Sequence, residues 1–308
     1  MAVFSRRAGI TTLVAGIVSL VFSAGTVTAA DITIQHASGE TAFSKTPVKV
    51  LTYDIATLDT LTALGIEVAG VPGGNKPDYL SKYAGDGVVN IGTLFEPDYE
   101  AVAAAQPDLI VVAGRSRAKY AELAKIAPTI DMTIPPENFL SEAEQNVRKL
   151  GTLFGKQEQA EALLAKLSAS RAELKQKSAT AGKSLLVLTT GGKMSSYGPG
   201  SRFGMLFSDY GFQPAEATGV KGTHGNPASY EYILEKNPDW LFVIDRDAAI
   251  GREGAARTML DNEVVAQTTA WKNGHVVYLD ATSWYLVGGG ITAMQRTLDQ
   301  LLAAVDKK

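Results

Sequence analysis

The chain contains no cysteine, which excludes disulfides, thiolate metal sites and a lipid-modified N-terminal cysteine. Histidine is nearly as scarce. His36, His224 and His275 are the only three, too few and too scattered for the histidine- and carboxylate-rich cage that holds a bare divalent metal. Positive charge is not in excess either: 29 Lys and Arg stand against 32 Asp and Glu, a net charge of −3 that becomes −5 without Arg6 and Arg7. Nothing in that balance attracts nucleic acid or anionic membranes. Gly198-Pro199-Gly200 followed by Gly204 is not G-x-G-x-x-G, and no P-loop lysine motif occurs, so no nucleotide site is read. No G-x-S-x-G surrounds Ser201 or Ser283, as a nucleophile elbow would require.

Long apolar runs are missing beyond the first thirty residues. Within them, Arg6 and Arg7 precede the apolar stretch 10–22, and small residues follow at Val27-Thr28-Ala29-Ala30. This is the pattern of an export signal over residues 1–30, cleaved near Ala29 or Ala30; the run is short for a span, which needs ~20 residues. Export leaves 278 of the 308 residues, enough for two domains, with no membrane insertion of the mature chain and a periplasmic destination.

The most informative feature present is a repeat. Residues 99–115 read YEAVAAAQPDLIVVAGR and residues 230–246 read YEYILEKNPDWLFVIDR, so Tyr99, Glu100, Pro107, Asp108 and Arg115 recur as Tyr230, Glu231, Pro238, Asp239 and Arg246. The separation is too long for a solenoid. It predicts two similar lobes, each presenting an arginine from the same end of an equivalent strand toward an anionic ligand. Apolar strands at 49–52, 65–71 and 109–113 alternate with helices at 56–64 and up to about Ala105, as in parallel sheets covered on both faces. Ser141 and Glu144 form an S-x-x-E capping box opening a helical region that runs to about Lys177, with a kink near Gly155. Strands at 184–188 and 275–279, a helix at 203–210 and a closing helix burying Ile291, Met294, Leu298, Leu301, Leu302 and Val305 complete the second lobe. The expected fold is α/β: two Rossmann-like lobes with mostly parallel central sheets, at 31–138 and 179–308, joined by a single long α-helix within 139–178.

Ligands of open parallel sheets bind beyond the carboxyl ends of the strands, where Arg115 and Arg246 fall. Arg202 lies between a Gly-Pro-Gly turn and a helix start, a place that also favours anions. Arg117 and Arg252 lack the support of the repeat and read as surface charges. His36 and His275 read as structural. His224, in the loop 222–227, and Tyr285, in the loop 280–290, are candidate site residues that sequence physics alone does not pair.

The export signal, the two lobes and the E-x-[VI]-x₄-P-D-apolar signature in both resemble the class III solute-binding proteins of ATP-driven importers. GRSR at 114–117, GPGSRFG at 198–204, the GTHGN loop, Asp245-Arg246 and Ser283-Trp284-Tyr285 resemble the members that bind ferric catecholate siderophores. The resemblance implies that Arg115, Arg202 and Arg246 contact catecholate oxygens and that His224 and Tyr285 ligate iron directly. It further implies that Tyr53 and Trp284 make lesser ligand contacts, and that Glu100 and Glu231 dock onto arginines of an inner-membrane ABC permease. Both glutamates also suit a helix N-terminus on electrostatic grounds. The implied protein is a monomer with no intrinsic cofactor, carries Fe(III) only within the bound siderophore, catalyses no reaction and closes little about its rigid crossover. A four-oxygen ligand leaves two iron positions for tyrosinate and imidazole; tyrosine's usual pKa of ~10 is overcome because a bound cation drives deprotonation of its ligands. Haem and cobalamin remain alternative ligands of the same fold, haem because tyrosine can hold its iron. An enzyme would need an activated nucleophile.

Overall fold

The computed structural model describes residues 1–3, 31–216 and 224–307. Residues 4–30 of the expected export signal, together with Gly222 and Thr223 of the GTHGN loop, lie outside the described residues. No helix among the described residues is long and apolar enough to cross a membrane.

From Asp31 the chain opens with an antiparallel hairpin of β1 (Ile32–His36) and β2 (Gly39–Phe43) that sequence reading did not identify. Only Ile34 and Phe43 of it are buried, so its apolar signal is faint. Polar clips hold it instead. The buried Asp131 accepts from Ser38 Oγ at 2.6 Å and pairs with Arg117 Nε at 3.2 Å, while Arg117 also donates to the Ala37 carbonyl at 3.3 Å. Arg117, expected to be an unassigned surface charge, thus fastens the hairpin to the first sheet.

That sheet comprises β3 (Val50–Thr52), β4 (Gly70–Val71), β5 (Val89–Asn90), β6 (Leu109–Val112) and β7 (Thr129–Asp131), in the order β5-β4-β3-β6-β7 with every pair parallel. Strand β4 is far shorter than the expected 65–71. Helix α1 (Ile55–Ala63) uses the preceding residues for its own termination: Gly65 takes φ +72°, and Ile66 N donates back to the Leu61 carbonyl at 2.8 Å, as left-handed helix ends do. Helix α2 (Tyr99–Ala105) leads into β6.

The crossover is two helices, α3 (Phe139–Leu153) and α4 (Gln157–Ser178), and not the single long helix expected. Gly155 breaks the run at φ +65°, and a Cβ on Gly151 would lie 2.8 Å from Ala160 Cβ, so the second helix folds back close against the first. The S-x-x-E box is not used either. Asn138 occupies the cap position, Ser141 sits inside the first turn, and Glu144 pairs with Arg171 of α4 at 3.1 Å.

The second sheet contains β8 (Lys183–Thr190), β9 (Lys193–Tyr197), β10 (Gln213–Pro214), β11 (Asn226–Ala228), β12 (Trp240–Asp245) and β13 (Val276–Tyr278). Its order is β11-β9-β8-β12-β13, with β10 alongside the start of β8. Strands β8, β12 and β13 are parallel, whereas β9 runs antiparallel to β8 and β11. The β8–β9 reversal is made by Gly191-Gly192, both at positive φ (52° and 76°), the two-residue hairpin turn that glycine favours.

The repeat has a structural explanation. Asp98 caps α2 by accepting from Ala101 N at 3.0 Å, and Ser229 caps its counterpart α5 (Tyr230–Lys236) by accepting from Tyr232 N at 3.2 Å. Both helices end in a left-handed residue, Gln106 and Asn237, the two non-glycine residues with positive φ among those described. The following aspartate then clips the neighbouring strand: Asp108 Oδ2 accepts from Lys49 N at 2.9 Å and Asp239 Oδ2 from Lys183 N at 2.7 Å. The Pro-Asp motif therefore sets the register of β6 beside β3 and of β12 beside β8, and delivers each arginine to the same end of its sheet.

One apolar core runs through both halves. Val50, Leu109 and Val111 from the first sheet and Leu186, Leu188, Phe242 and Ile244 from the second join Leu150, Leu164, Leu298 and Leu301 of the helices. The alternate residues of the same strands fill separate outer clusters, Ile110 and Val112 on one side and Val187 and Val243 on the other, as period-two strands covered on both faces require. The closing helix α6 (Ile291–Val305) packs on α4 and α1. It is anchored by the buried Asp59 of α1, which accepts from Thr292 N (2.8 Å), Ala293 N (2.9 Å) and Tyr79 Oη (2.6 Å). A Cβ at Gly290 would lie 2.6 Å from the Asp59 carboxyl carbon. Replacing Asp59 by Ala strands three donors, one buried and two partly buried, and should lower unfolding free energy by about 2–4 kcal/mol, with Gly290→Ala also destabilising; urea unfolding that shows both variants within ~0.5 kcal/mol of wild type would refute the anchor.

Candidate functional site

Beyond β6 the backbone turns tightly at 113–116, where the buried Ser116 exchanges hydrogen bonds with the Ala113 backbone and Arg117 N returns to the Ala113 carbonyl. This turn projects Arg115 from the carboxyl end of the first sheet. Arg202 sits in the loop 198–204, which Ser201 Oγ fastens to the Gly198 carbonyl at 2.6 Å. Arg246 directly follows β12.

All three converge on Tyr285, which lies in a π-helical turn, Ser283–Val287. Its carbonyl accepts from Arg115 Nη2 at 2.7 Å and from Arg202 Nη2 at 2.6 Å, and its hydroxyl accepts from Arg246 Nε at 2.7 Å. The guanidinium carbons of Arg115, Arg202 and Arg246 stand 5.6, 4.4 and 5.4 Å from the ring centroid, within cation–π range. Arg246 is further held by Thr190 Oγ1 at 3.2 Å. Sequence reading thus found three arginines and a tyrosine that the fold brings together, from both sheets.

Among the described residues none of the three arginines forms an ion pair. Burial pushes the Arg115 guanidinium below its ordinary pKa, and the adjacent Arg202 charge adds to that. For Tyr285, burial pushes the phenol up, but the Arg246 hydrogen bond and the Arg202 and Arg246 charges outweigh it, leaving the phenol below the usual 10. The three guanidinium groups leave the site with an excess of positive charge, and they make the Tyr285 phenol easier to deprotonate than an ordinary tyrosine.

Arg115, Arg202 and Tyr285 line a cavity of about 410 Å³, in the range of small-molecule sites. Met132, Ile134, Phe139 and Met205 supply an apolar wall. Tyr53 and Trp284 also line it but are only 1% and 2% exposed; the Tyr53 hydroxyl is committed to the Ile91 carbonyl at 2.7 Å, while Trp284 Nε1 has no partner among the described residues. His224 is exposed and is not among the lining residues. Glu100 and Glu231 are exposed first-turn residues of α2 and α5. Its own backbone N–H and the Ser229 hydroxyl hold the Glu231 carboxyl below its ordinary range. His275 stacks on Trp240 (centroids 4.1 Å apart) and His36 bonds to Thr41, both structural as expected. No group of three or more His, Asp or Glu among the described residues could hold a metal. Asp54, which also lines the cavity, was missed, although its place just past β3 is the strand-end signal that identified Arg115.

Comparison with known proteins agrees with this architecture. The family model for periplasmic binding protein matches residues 50–282. The petrobactin-binding protein YclQ of Bacillus subtilis is 37% identical over 90% of this chain and 89% of its own length, and its crystal structure superposes with a TM-score of 0.87 over 90% of this chain and 99% of that one. The ferric-anguibactin-binding protein FatB of Vibrio anguillarum is 33% identical, covering 88% of this chain and 86% of its own. The periplasmic catecholate-siderophore binding protein VctP of Vibrio cholerae is 34% identical with a TM-score of 0.84, covering 89% and 99%. These relatives are binding proteins and not enzymes, in line with the absence of a nucleophile motif. With two largely parallel sheets, a shared helical layer and a match across most of its length, the chain belongs to the periplasmic binding protein family.

Proposed function

We propose that this protein captures an Fe(III) complex of a catecholate siderophore, of the four-oxygen type, and delivers it from the periplasm to an inner-membrane ABC importer. The observation that carries the reading is the convergence of three guanidinium groups without carboxylate partners on Tyr285 at a cavity. Charge-assisted bonds from arginine to phenolate oxygens are strong and directional, and lysine would lack the planar fork. Fe(III), a hard ion, prefers oxygen donors, and a bis-catecholate complex leaves two coordination positions open. Tyr285, whose proton the arginines loosen, fills one; His224, exposed and outside the cavity lining, fills the other only by swinging in when the ligand binds, and iron enters as cargo only. The names of the relatives, binding proteins for petrobactin, ferric-anguibactin and catecholate siderophores, support the same ligand class. In this reading 31–138 and 179–308 act as two lobes of a monomer, with Tyr53 and Trp284 walling the ligand and Glu100 and Glu231 engaging the permease.

Titration with a ferric bis-catecholate should quench Trp284 fluorescence with sub-micromolar affinity, and haem and cobalamin should not compete; equal quenching by all three contradicts the reading. Truncating Arg115, Arg202 or Arg246 to Ala should weaken binding by about 10–100-fold each.

Combining His224→Ala with Tyr285→Phe should weaken a four-oxygen complex more than a six-oxygen one, and equal losses would argue against direct ligation. In the ligand-free protein the Tyr285 phenol should titrate below 10, the direction set by its arginines. Ultraviolet difference titration against Tyr285→Phe measures this, and a value at or above 10 would remove the phenolate bias.

A further inference from the structure

The cavity lining changes character along one short segment, 285–289. At its start the Tyr285 carbonyl gathers Arg115 and Arg202. At its end Gly288 and Gly289 meet Ile134, which lies just past β7, and Phe139, the first residue of α3. A Cβ on Gly289 would collide with Ile134 Cδ1, and one on Gly288 would lie 3.5 Å from the Phe139 ring. The two glycines thus let an isoleucine and a phenylalanine lie close against the segment. Both are only partly buried, packing on the core while also lining the cavity. Polar groups are scarce here. Thr133 turns its hydroxyl back to donate to Asp131 Oδ1, and among the described residues those lining the cavity from 132 to 139 carry no charge.

Resting on the siderophore reading above, we propose that Ile134 and Phe139, with Met132 and Pro136 beside them, form a subsite for the spacer that joins the two catechols. The subsite selects ligands whose spacer is uncharged and apolar. The catechols carry the oxygen donors and the negative charge, so they belong beside the guanidinium groups. What remains of a bis-catecholate is the chain linking them, and the lining that continues from Tyr285 is this apolar stretch. It offers that chain no side-chain hydrogen bond. An amine or ether oxygen held there gives up water without replacement, whereas each methylene that leaves water there is worth about fourfold in affinity. The arginines accept any catecholate, and the wall discriminates by what connects the catechols.

The test uses the one-to-one ferric complexes of two bis-catecholamides, one with an eight-carbon alkyl spacer and one in which two of those methylenes are ether oxygens. Catechols, charge and length are the same in both. Fluorescence titration of wild type should show the alkyl-spaced complex binding about tenfold more tightly. Ile134→Thr and Phe139→Gln should each bring the two affinities to within about threefold, with the ether-spaced complex staying within about twofold of its wild-type affinity. Equal wild-type affinities overturn this inference alone, without recourse to any variant, and assign the apolar wall to the catechol rings that both complexes share. A tenfold preference that survives both substitutions in folded protein also overturns it. Wild type that binds neither complex overturns the siderophore reading and this inference with it.

Discussion

Three like charges do not gather at one point unless something holds them there. In this protein it is a single residue: Tyr285 offers its carbonyl to Arg115 and Arg202, its hydroxyl to Arg246 and its ring face to all three. Among the described residues no carboxylate forms an ion pair with any of the three, so their repulsion is offset by hydrogen bonds and packing. The π-helical turn matters because it turns both the carbonyl and the phenol of one residue toward cations arriving from two different sheets. Preorganisation of this kind spares a ligand the work of assembling its own site.

The scaffold explains how the cluster stays assembled. Arg115 and Arg246 ride on strands whose register is set by the same Pro-Asp device, with Asp108 and Asp239 each binding a backbone amide where the adjacent strand begins. Tyr285 is tied differently. Its turn runs through Gly288-Gly289-Gly290 into α6, and Asp59 of α1 receives the first amides of that helix. The close packing of Gly290 on Asp59 leaves no room for a side chain. Elements distant in sequence thus fix the position of one phenol.

Much of this was legible in the residues, because it was written twice. The repeat marked equivalent helices, strands and arginines, and the strand-end rule pointed Arg115 and Arg246 toward a common site. Other features carried no comparable mark. The β1–β2 hairpin is held by Ser38, Arg117 and Asp131, contacts between residues far apart in the chain, and not by apolar alternation. The crossover keeps helical periodicity across Gly155, so only the backbone angle there and the tight contact at Gly151 reveal two helices. Ser141 and Glu144 matched a capping pattern, but Glu144 had a better partner in Arg171. Asp54 was hidden by its ordinary role as a helix cap, since a residue with a sufficient structural reason to exist draws no attention as a ligand contact.

The continuous core has a consequence for how the molecule is made. Leu109 and Val111 of one sheet and Leu186 and Phe242 of the other share an interior with α4 and α6, and α6 is the last helix in the chain. A nascent polypeptide that has completed its first sheet still lacks the closing layer over that sheet's inner face. Residues of α1 and α3 cover part of that face earlier, but its burial is complete only with α6, which ties final packing of the front of the protein to residues near its tail.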